Sequence, residues 1–328
     1  MAARRVTAKD VAREAGVSQA TVSYVLSDNR RQTIPEPTRE RVRAAAVLLG
    51  YTPSAAARAL RRGASDSVLV LIPDAPIGEL LAEVLDRLST ELEPQGYYPL
   101  FRRSADDASA ARAWRALMPA AIVDMVPLGH EERAAIRAAG VVLVDAAAGD
   151  QDIGQAVSQR EIGRLQAGHL IDRGHTRLGY AATSDPRLRR YLAPRLEGVH
   201  EVCRERGVPA AVVHDVDLDP AAALAAVASW TSGGARVTGV AAYNDEVAFA
   251  VLAAARQTGL RVPGDLAVVG ADDIPLAALA VPPLSSVGVR REVVVERMAA
   301  RVRAGLSLPT RTPDPAASPL LLVVRAST

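Results

Sequence analysis

The chain has little cysteine and few aromatic side chains. Its 328 residues include one cysteine, Cys203, and only 3% are Phe, Trp or Tyr. A single cysteine cannot form an internal disulfide, and its helical surroundings predict a packing role for it. No apolar stretch approaches the ~20 residues of a membrane-spanning helix, and the N-terminus lacks the apolar core of a signal peptide. We therefore expect a cytoplasmic protein.

The common signatures of enzymes and metal sites are also missing. The sequence has no glycine-rich phosphate loop, no Gly-x-Ser-x-Gly segment and no His-Glu-x-x-His segment. Its five histidines are dispersed, and His169 and His175 are not at the spacing of metal ligands. The sequence therefore indicates no enzyme, no cofactor and no bound metal.

A helix-turn-helix pattern opens the chain. Thr7 followed by Asp10 is typical of a capping box, and Gly16 can adopt the left-handed conformation that ends a helix. Ser18 is a good N-cap for a second helix. Helical spacing then turns three apolar residues of that helix inward: Val22, Val25 and Leu26.

The opposite face of this second helix is the candidate DNA-reading surface, with Gln19, Ala20, Ser23 and Tyr24. Glutamine can pair with adenine through two hydrogen bonds, alanine can contact a thymine methyl group, and tyrosine offers a hydroxyl and an apolar ring. The helix start at Ser18 suits a phosphate, since backbone N–H groups and the helix dipole attract anions. Two alternatives remain at this point: an ordinary helical hairpin, and a packing role for Tyr24.

Charge supports a DNA-binding head. Residues 1–63 carry 12 basic and 5 acidic side chains, whereas the remainder carries 27 basic and 32 acidic ones. A third helix is predicted over 36–49 and a short alanine-rich helix over 54–62. A basic head on an acidic body is typical of a module that binds nucleic acid.

The ordered motifs resemble the LacI/GalR family of bacterial transcription regulators. The matching head segments are 10–12, 15–18, 21–23, 38–42, 49–53 and 57–60. The matching segments of the remainder are 173–179, 195–198, 243–248, 259–274 and 282–287. They occur in the family's order and cover nearly the whole chain.

Beyond residue 64, short apolar runs alternate with amphipathic helices in two consecutive sets. This pattern predicts two doubly wound lobes with parallel sheets and a cleft between them. The resemblance implies the same plan, similar to a periplasmic binding protein, with chain crossings near 146–158, 284–289 and 309–319. We expect a helix-turn-helix domain (1–53), a hinge helix and linker (54–65) and a two-lobed domain (66–328), with lobes of 66–150 plus 288–312 and 158–285 plus 318–328.

The resemblance also implies a hinge that inserts a leucine into the minor groove of the operator. Leu60 matches that leucine, and Ala57 matches the small residue beside it, although Leu60 also suits packing between domains. Two hinges must meet on the DNA, so the resemblance implies a homodimer and a near-palindromic operator. The family often has arginine where Tyr24 stands. The predicted DNA-contacting residues are Thr7, Ser18, Gln19, Ala20, Thr21, Ser23, Tyr24, Asn29, Tyr51, Ala57 and Leu60.

Candidate effector residues lie at strand ends, where open α/β sheets bind ligands. They are Asp74, Arg103, Asp145, Asn244 and Asp272, together with Arg195, which starts the Arg-Leu-x-Gly match, and the nearby Tyr191. Such a mixed set can hold hydroxyl groups or a carboxylate. The family's pocket positions match Arg195, Asn244 and Asp272 best, and the first three residues suit surface ion pairs equally well. Asp245 and Asp273 are predicted to cap the helices that follow them.

The predicted pocket departs from the family pattern. The family's Asn-Pro-Phe after the first strand is replaced by residues 75–78, and its Asp-Asn by Ser158-Gln159. Aromatic platforms are scarce, with Tyr191 the candidate, so a sugar effector is permitted but not indicated. We predict a dimeric, sequence-specific DNA-binding regulator, a repressor controlled by a small molecule. The alternative is a two-lobed small-molecule binding protein without a regulatory DNA role.

Overall fold

The computed structural model describes residues 6–26, 34–51, 65–104, 106–126, 128–145, 157–232, 236–310, 313 and 318–328. It divides into two compact units, residues 1–66 and 67–328. Within the described residues, no helix is long and apolar enough to cross a membrane.

The first unit is a three-helix head. Its helices are α1 (Ala8–Ala15), α2 (Gln19–Leu26) and α3 (Glu36–Leu48). Their inward-facing residues form one small core, which consists of Val11, Ala12, Ala15, Val22, Val25, Val42, Ala45 and Ala46. The predicted inward turn of Val22 and Val25 is thus confirmed. The remaining apolar residue of that prediction, Leu26, is partly buried and packs against the same core.

The first lobe of the second unit contains a four-stranded parallel sheet in the order β2-β1-β3-β4. Its strands are β1 (Ser67–Pro73), β2 (Tyr98–Ser104), β3 (Ala121–Asp124) and β4 (Val142–Asp145). The lobe's helices are α4 (Glu79–Leu92), α5 (Asp107–Leu117), α6 (His130–Ala138) and, from much later in the chain, α12 (Arg291–Gly305).

Strand β1 shows why this lobe has helices on both faces. Its side chains alternate, as the pleat of a strand requires. Val68, Val70 and Ile72 pack into the core beneath α4 and α12. Leu69 and Leu71 pack into the opposite core with Trp114 of α5 and Ile136 of α6. A strand buried on both faces reads as a continuous apolar run, which is the pattern of residues 68–72.

The second lobe contains a six-stranded sheet in the order β10-β9-β8-β7-β5-β6. Its strands are β5 (Leu178–Ala182), β6 (Val212–Asp215), β7 (Gly239–Ala242), β8 (Ala267–Asp272), β9 (Ser285–Val289) and β10 (Leu320–Val323). Its helices are α7 (Gln159–Asp172), α8 (Arg189–Glu205), α9 (Pro220–Thr231), α10 (Asp245–Gln257) and α11 (Pro275–Leu279). The predicted fold class, a helical head with two doubly wound lobes, is confirmed.

The second sheet differs from the sequence-based expectation in two ways: it has a strand where a lobe crossing was expected, and its last strand is antiparallel. Residues 285–289 form strand β9 of the second sheet, so the second lobe extends beyond the boundary expected near residue 285. The first lobe resumes with α12, which packs on α4 and β4. Strand β10 pairs antiparallel to β9, because a chain returning from the first lobe enters the second sheet from the opposite end.

Candidate functional site

Short hydrogen bonds hold the start of α1 and the turn that follows it. The Asp10 carboxylate accepts from the Thr7 backbone N–H at 3.0 Å, as in a capping box, and also from the Thr7 hydroxyl at 2.7 Å. Gly16 has a φ of 63°, in the left-handed region, and ends α1. Ser18 Oγ then accepts from the Thr21 N–H at 3.1 Å, which fixes the start of α2.

Helix α2 presents an outward face to solvent. Gln19, Ala20 and Tyr24 are exposed, and Tyr24 retains 38% of its accessible surface. On the opposite face, Val22 and Val25 are buried in the head core. The helix is therefore anchored by Val22 and Val25, and not by the residues that face outward.

A cavity of about 470 Å³ lies between the two lobes. Four of the predicted effector residues line it: Tyr191, Arg195, Asn244 and Asp272. They lie together with Tyr243 on the second-lobe side, and we call these five residues the polar wall. A cavity of this size accommodates a small metabolite.

Arg195 is the centre of the polar wall. Its side chain is buried, and its Nε donates to Gln159 Oε1 at 2.5 Å. Its Nη1 donates to the backbone carbonyl of Tyr243, and its guanidinium lies 4.7 Å from the centroid of the Tyr243 ring. Nη2 lies 3.6 Å from Asp272 Oδ1, longer than the 2.7–2.9 Å usual for a charge-assisted hydrogen bond. The guanidinium and the Asp272 carboxylate thus form an ion pair without a short hydrogen bond.

Close packing of two helices places Arg195. A Cβ added to Gly163 of α7 would lie 1.9 Å from the backbone oxygen of Arg195, and one added to Gly198 of α8 would lie 2.0 Å from that of Arg160. Helices α7 and α8 can approach this closely only because both positions lack a side chain. Glycine at 163 and 198 therefore sets the depth of Arg195 in the cavity.

Asp272 lies in a strained turn that contacts of Asp245 and Arg325 hold in place. Asp272 and Asp273 have φ values of 97° and 49°, unusual for residues other than glycine. Asp245 accepts from the Ile274 N–H at 2.8 Å and from Ser286 Oγ at 2.6 Å. Burial raises the pKa of Asp245 to about 7. Arg325 pairs with Asp273 at 2.6 Å, so the turn is fixed on both sides.

Comparison with known proteins agrees with this architecture. The family "Bacterial regulatory proteins, lacI family" matches residues 7–54, and the "Periplasmic binding protein-like domain" matches residues 167–328. The chain is 31% identical over 299 residues to the transcriptional regulator GalS of Salmonella typhimurium, covering 86% of this chain and 84% of that protein. It is 31% identical over 293 residues to the ribose operon repressor of Escherichia coli, covering 86% and 87% of the two chains. The chain belongs to the LacI family.

Solved structures show the same fold. The lac repressor dimer bound to operator and the anti-inducer ONPF superposes with a TM-score of 0.76 at 22% identity, covering 99% of both chains. A LacI-family regulator from Silicibacter pomeroyi gives a TM-score of 0.76 at 23% identity, covering 98% of this chain and 99% of that one. The resemblance deduced from the sequence is confirmed: this LacI-family member is a DNA-binding transcription regulator with a periplasmic-binding-protein-like effector domain.

Three predicted effector residues lie outside the cavity of this LacI-family regulator. Asp74 and Arg103 face each other across an exposed 3.8 Å ion pair. Asp145 is paired with Arg133, which also donates to Asp124 at 2.8 Å. Strands β3 and β4 align Asp124 with Asp145, so two carboxylates adjoin at the sheet end and Arg133 pairs with both. Burial raises the pKa of Asp124 to about 6.

The cavity also contains residues that the sequence analysis did not assign. Gln159 supports Arg195, and Tyr243 lies beneath its guanidinium. From the first lobe come Ala75, Pro76, Ile77, Leu80 and Leu81, which we call the apolar wall. In the sequence, residues 75–78 depart from the family pattern after the first strand. This departure was the signal that could have assigned the segment to the cavity.

The remaining predicted DNA contacts divide by position. Thr7 precedes α1, Ser18, Thr21 and Ser23 lie at the start of α2 and within it, and Tyr51 is half-buried against the head core. Asn29, Ala57 and Leu60 lie outside the described residues. No group of three or more His, Cys, Asp or Glu side chains in the described part of the chain is placed to hold a metal ion.

Proposed function

We propose that the protein is a repressor that binds a near-palindromic operator as a homodimer and responds to a small molecule bound between its lobes. The observation that carries the proposal is the exposed face of α2. Gln19, Ala20 and Tyr24 lie on this face, and none of them belongs to the core of the head. These side chains can read base edges in the major groove. Such a role is exercised on chromosomal DNA, in the cytoplasm.

An apolar surface on the second lobe supports the homodimer. Leu279 and Val281 are 74% and 77% exposed, and they adjoin an open groove lined by Phe249 and Leu252 of α10. A contiguous exposed apolar patch is typical of a protein–protein interface. We assign this patch to contact with a second copy, because an operator with two half-sites requires two heads.

The polar wall supports regulation by a ligand. Arg195 and Asp272 lie on the second lobe and the apolar wall lies on the first, so a ligand touching both favours one lobe arrangement over another. A difference of ~1–3 kcal/mol between the two arrangements is sufficient to control operator binding. The proposal gives the cavity a binding role and no catalytic one, because the named relatives are regulators and repressors.

The hinge is the part of the proposal that rests on resemblance. We propose residues 1–53 as the DNA-binding domain, 54–65 as hinge and linker, and Leu60 with Ala57 as the minor-groove wedge. Leu60→Ala should weaken specific binding while leaving nonspecific, salt-dependent binding nearly unchanged. Equal losses in both, measured by fluorescence anisotropy on specific and random duplexes, would contradict the wedge.

The test of the proposed function is selection of bound sequences from random duplex DNA by the full-length protein at a stated salt concentration. We expect an enriched near-palindrome with a deformable pyrimidine–purine step at its centre. Ala20→Asp, which places a carboxylate on the exposed face of α2, should abolish the enrichment. Absence of any enriched sequence, with and without added metabolite extract, would favour the alternative of a binding protein without a DNA role.

A further inference from the structure

The two sides of the interlobe cavity differ in chemistry. The apolar wall carries hydrocarbon side chains, and Ile77 keeps 44% of its surface exposed there. The charged residues beside it, Glu79 and Arg291, pair with each other, and Arg291 also lies 3.4 Å from Glu83. Among the described residues of the first lobe that line the cavity, both charged side chains are therefore already paired.

Most hydrogen-bonding groups of the polar wall are already engaged. Asn244 Oδ1 caps α10 by accepting from the Val247 N–H at 2.9 Å, and two donors of Arg195 bind Gln159 and the Tyr243 carbonyl. Arg195 Nη2 and Asp272 Oδ1, a donor and an acceptor, lie 3.6 Å apart without a short hydrogen bond between them. A hydroxyl group on the cavity side can bridge the two atoms, because it can accept from the guanidinium and donate to the carboxylate.

We propose that the effector is an uncharged amphipathic molecule, with a hydroxyl group between Arg195 and Asp272 and a hydrocarbon body against Ile77, Leu80 and Leu81. The assignment rests on the proposed function in one respect, that this cavity is the effector site. It names the chemical class of the ligand, which the family alone does not.

Other ligand classes fit the cavity less well. Each hydroxyl of a polyol turned toward the apolar wall would lose water without gaining a partner, at a cost of about 1–3 kcal/mol. An anion would meet a guanidinium already beside Asp272, in a cavity that is also lined by Asp245 and Glu246 and whose other cation, Arg291, is paired with Glu79. An ammonium group would satisfy Asp272 but would face the positive charge of Arg195.

The test measures the binding of five substituted cyclohexanes to the full-length protein: myo-inositol, cyclohexanol, menthol, cyclohexylamine and cyclohexanecarboxylate. Saturation-transfer NMR titrations would measure their relative affinities. We expect menthol to bind about tenfold or more tightly than cyclohexanol, since it buries more hydrocarbon. Both alcohols should bind more tightly than the amine, the carboxylate and myo-inositol.

Variants locate the binding. Asp272→Asn keeps a side chain that tolerates positive φ and should weaken both alcohols. Ile77→Asn should weaken menthol by about threefold or more. Leu117→Asn, at a comparably exposed leucine elsewhere on the first lobe, should change neither alcohol.

Preference for myo-inositol or for either charged ring would overturn the assignment, as would alcohol binding that is absent or insensitive to Asp272→Asn. Operator binding is measured on the same samples. Loss of sequence-specific DNA binding with the alcohol preference intact would overturn the proposed function alone, and the reverse result would overturn only the ligand class.

Discussion

The outer face of α2 and the polar wall of the cavity are both proposed ligand surfaces, yet they are built in opposite ways. On α2, Gln19 and Tyr24 are exposed while other residues hold the helix in place. In the cavity, Arg195 is buried and is bonded to Gln159 and Tyr243. The first surface can change its specificity without changing the stability of the fold. On the second, binding and folding depend on the same contacts.

The largest effect that would test this contrast is expected from Gly163→Ala. The added Cβ would lie 1.9 Å from the backbone oxygen of Arg195, so α7 and α8 must separate. We expect the free energy of unfolding to fall by about 3 kcal/mol and ligand affinity to fall with it, because Arg195 moves with α8. Urea denaturation measures the first quantity.

The same helix provides the control. A Cβ at Gly168 of α7 would meet no atom within 4 Å, so Gly168→Ala should leave the stability unchanged or raise it by about 0.5–1 kcal/mol. If the two variants lost equal stability, the close approach of α7 and α8 would not be the cause.

Removal of the Arg195 side chain itself should have the next largest effect. Arg195→Leu leaves the Tyr243 carbonyl and the Gln159 amide without their partner, at a cost of about 2 kcal/mol in the free energy of unfolding. Arg204→Leu, at an exposed arginine of the same helix, should change stability by no more than about 0.5 kcal/mol. Similar losses for both arginines would mean that the polar wall contributes nothing to folding.

Asp245, which also lines the cavity, should make the stability of the protein depend on pH. Its folded pKa of about 7 lies above the ordinary value of 3.8, so the folded state binds more protons than the unfolded state between these values. The stability of the protein should therefore fall, relative to that of Asp245→Asn, as pH rises from about 4 to about 7, by roughly 1 kcal/mol per unit. Above pH ~7 the difference should be constant.

Denaturation curves of the two proteins across this range measure the effect. Asp86→Asn, at an exposed carboxylate of α4, controls for the loss of one charge. Parallel pH profiles for the wild type and Asp245→Asn would show that Asp245 is ionised as readily in the folded as in the unfolded chain.

The two surfaces also differ in how far the sequence predicts them. The helix-turn-helix is local: Gly16, Ser18 and Val22 specify its turn, its cap and its buried face within a few residues of one another. The apolar run of β1 likewise predicts a strand buried on both faces. In these cases periodicity and capping chemistry are sufficient, because the partners are near in sequence.

The cavity is not local, and there the sequence was less informative. Strand-end positions predicted Asn244 and Asp272 in one cavity, since parallel strands end at a common edge, and the family resemblance added Arg195. The same rule also selected Asp145. It could not show that β3 and β4 align Asp124 beside it or that Arg133 pairs with both. Which carboxylates are paired depends on strand register and on how Arg133 of the connecting helix α6 reaches the end of the sheet.

The smallest effect on stability is expected at Tyr24, where recognition is separate from folding. Tyr24→Ala should change the free energy of unfolding by no more than about 0.5 kcal/mol, because Val22 and Val25 anchor α2. Repeated selection from random duplexes should nevertheless yield a different preferred sequence, with total affinity changed less than preference. Glu14→Ala, at an exposed position of α1, should alter neither. A destabilised head with an unchanged preferred sequence would assign the Tyr24 ring to packing, and α2 would then read DNA chiefly through Gln19 and Ala20.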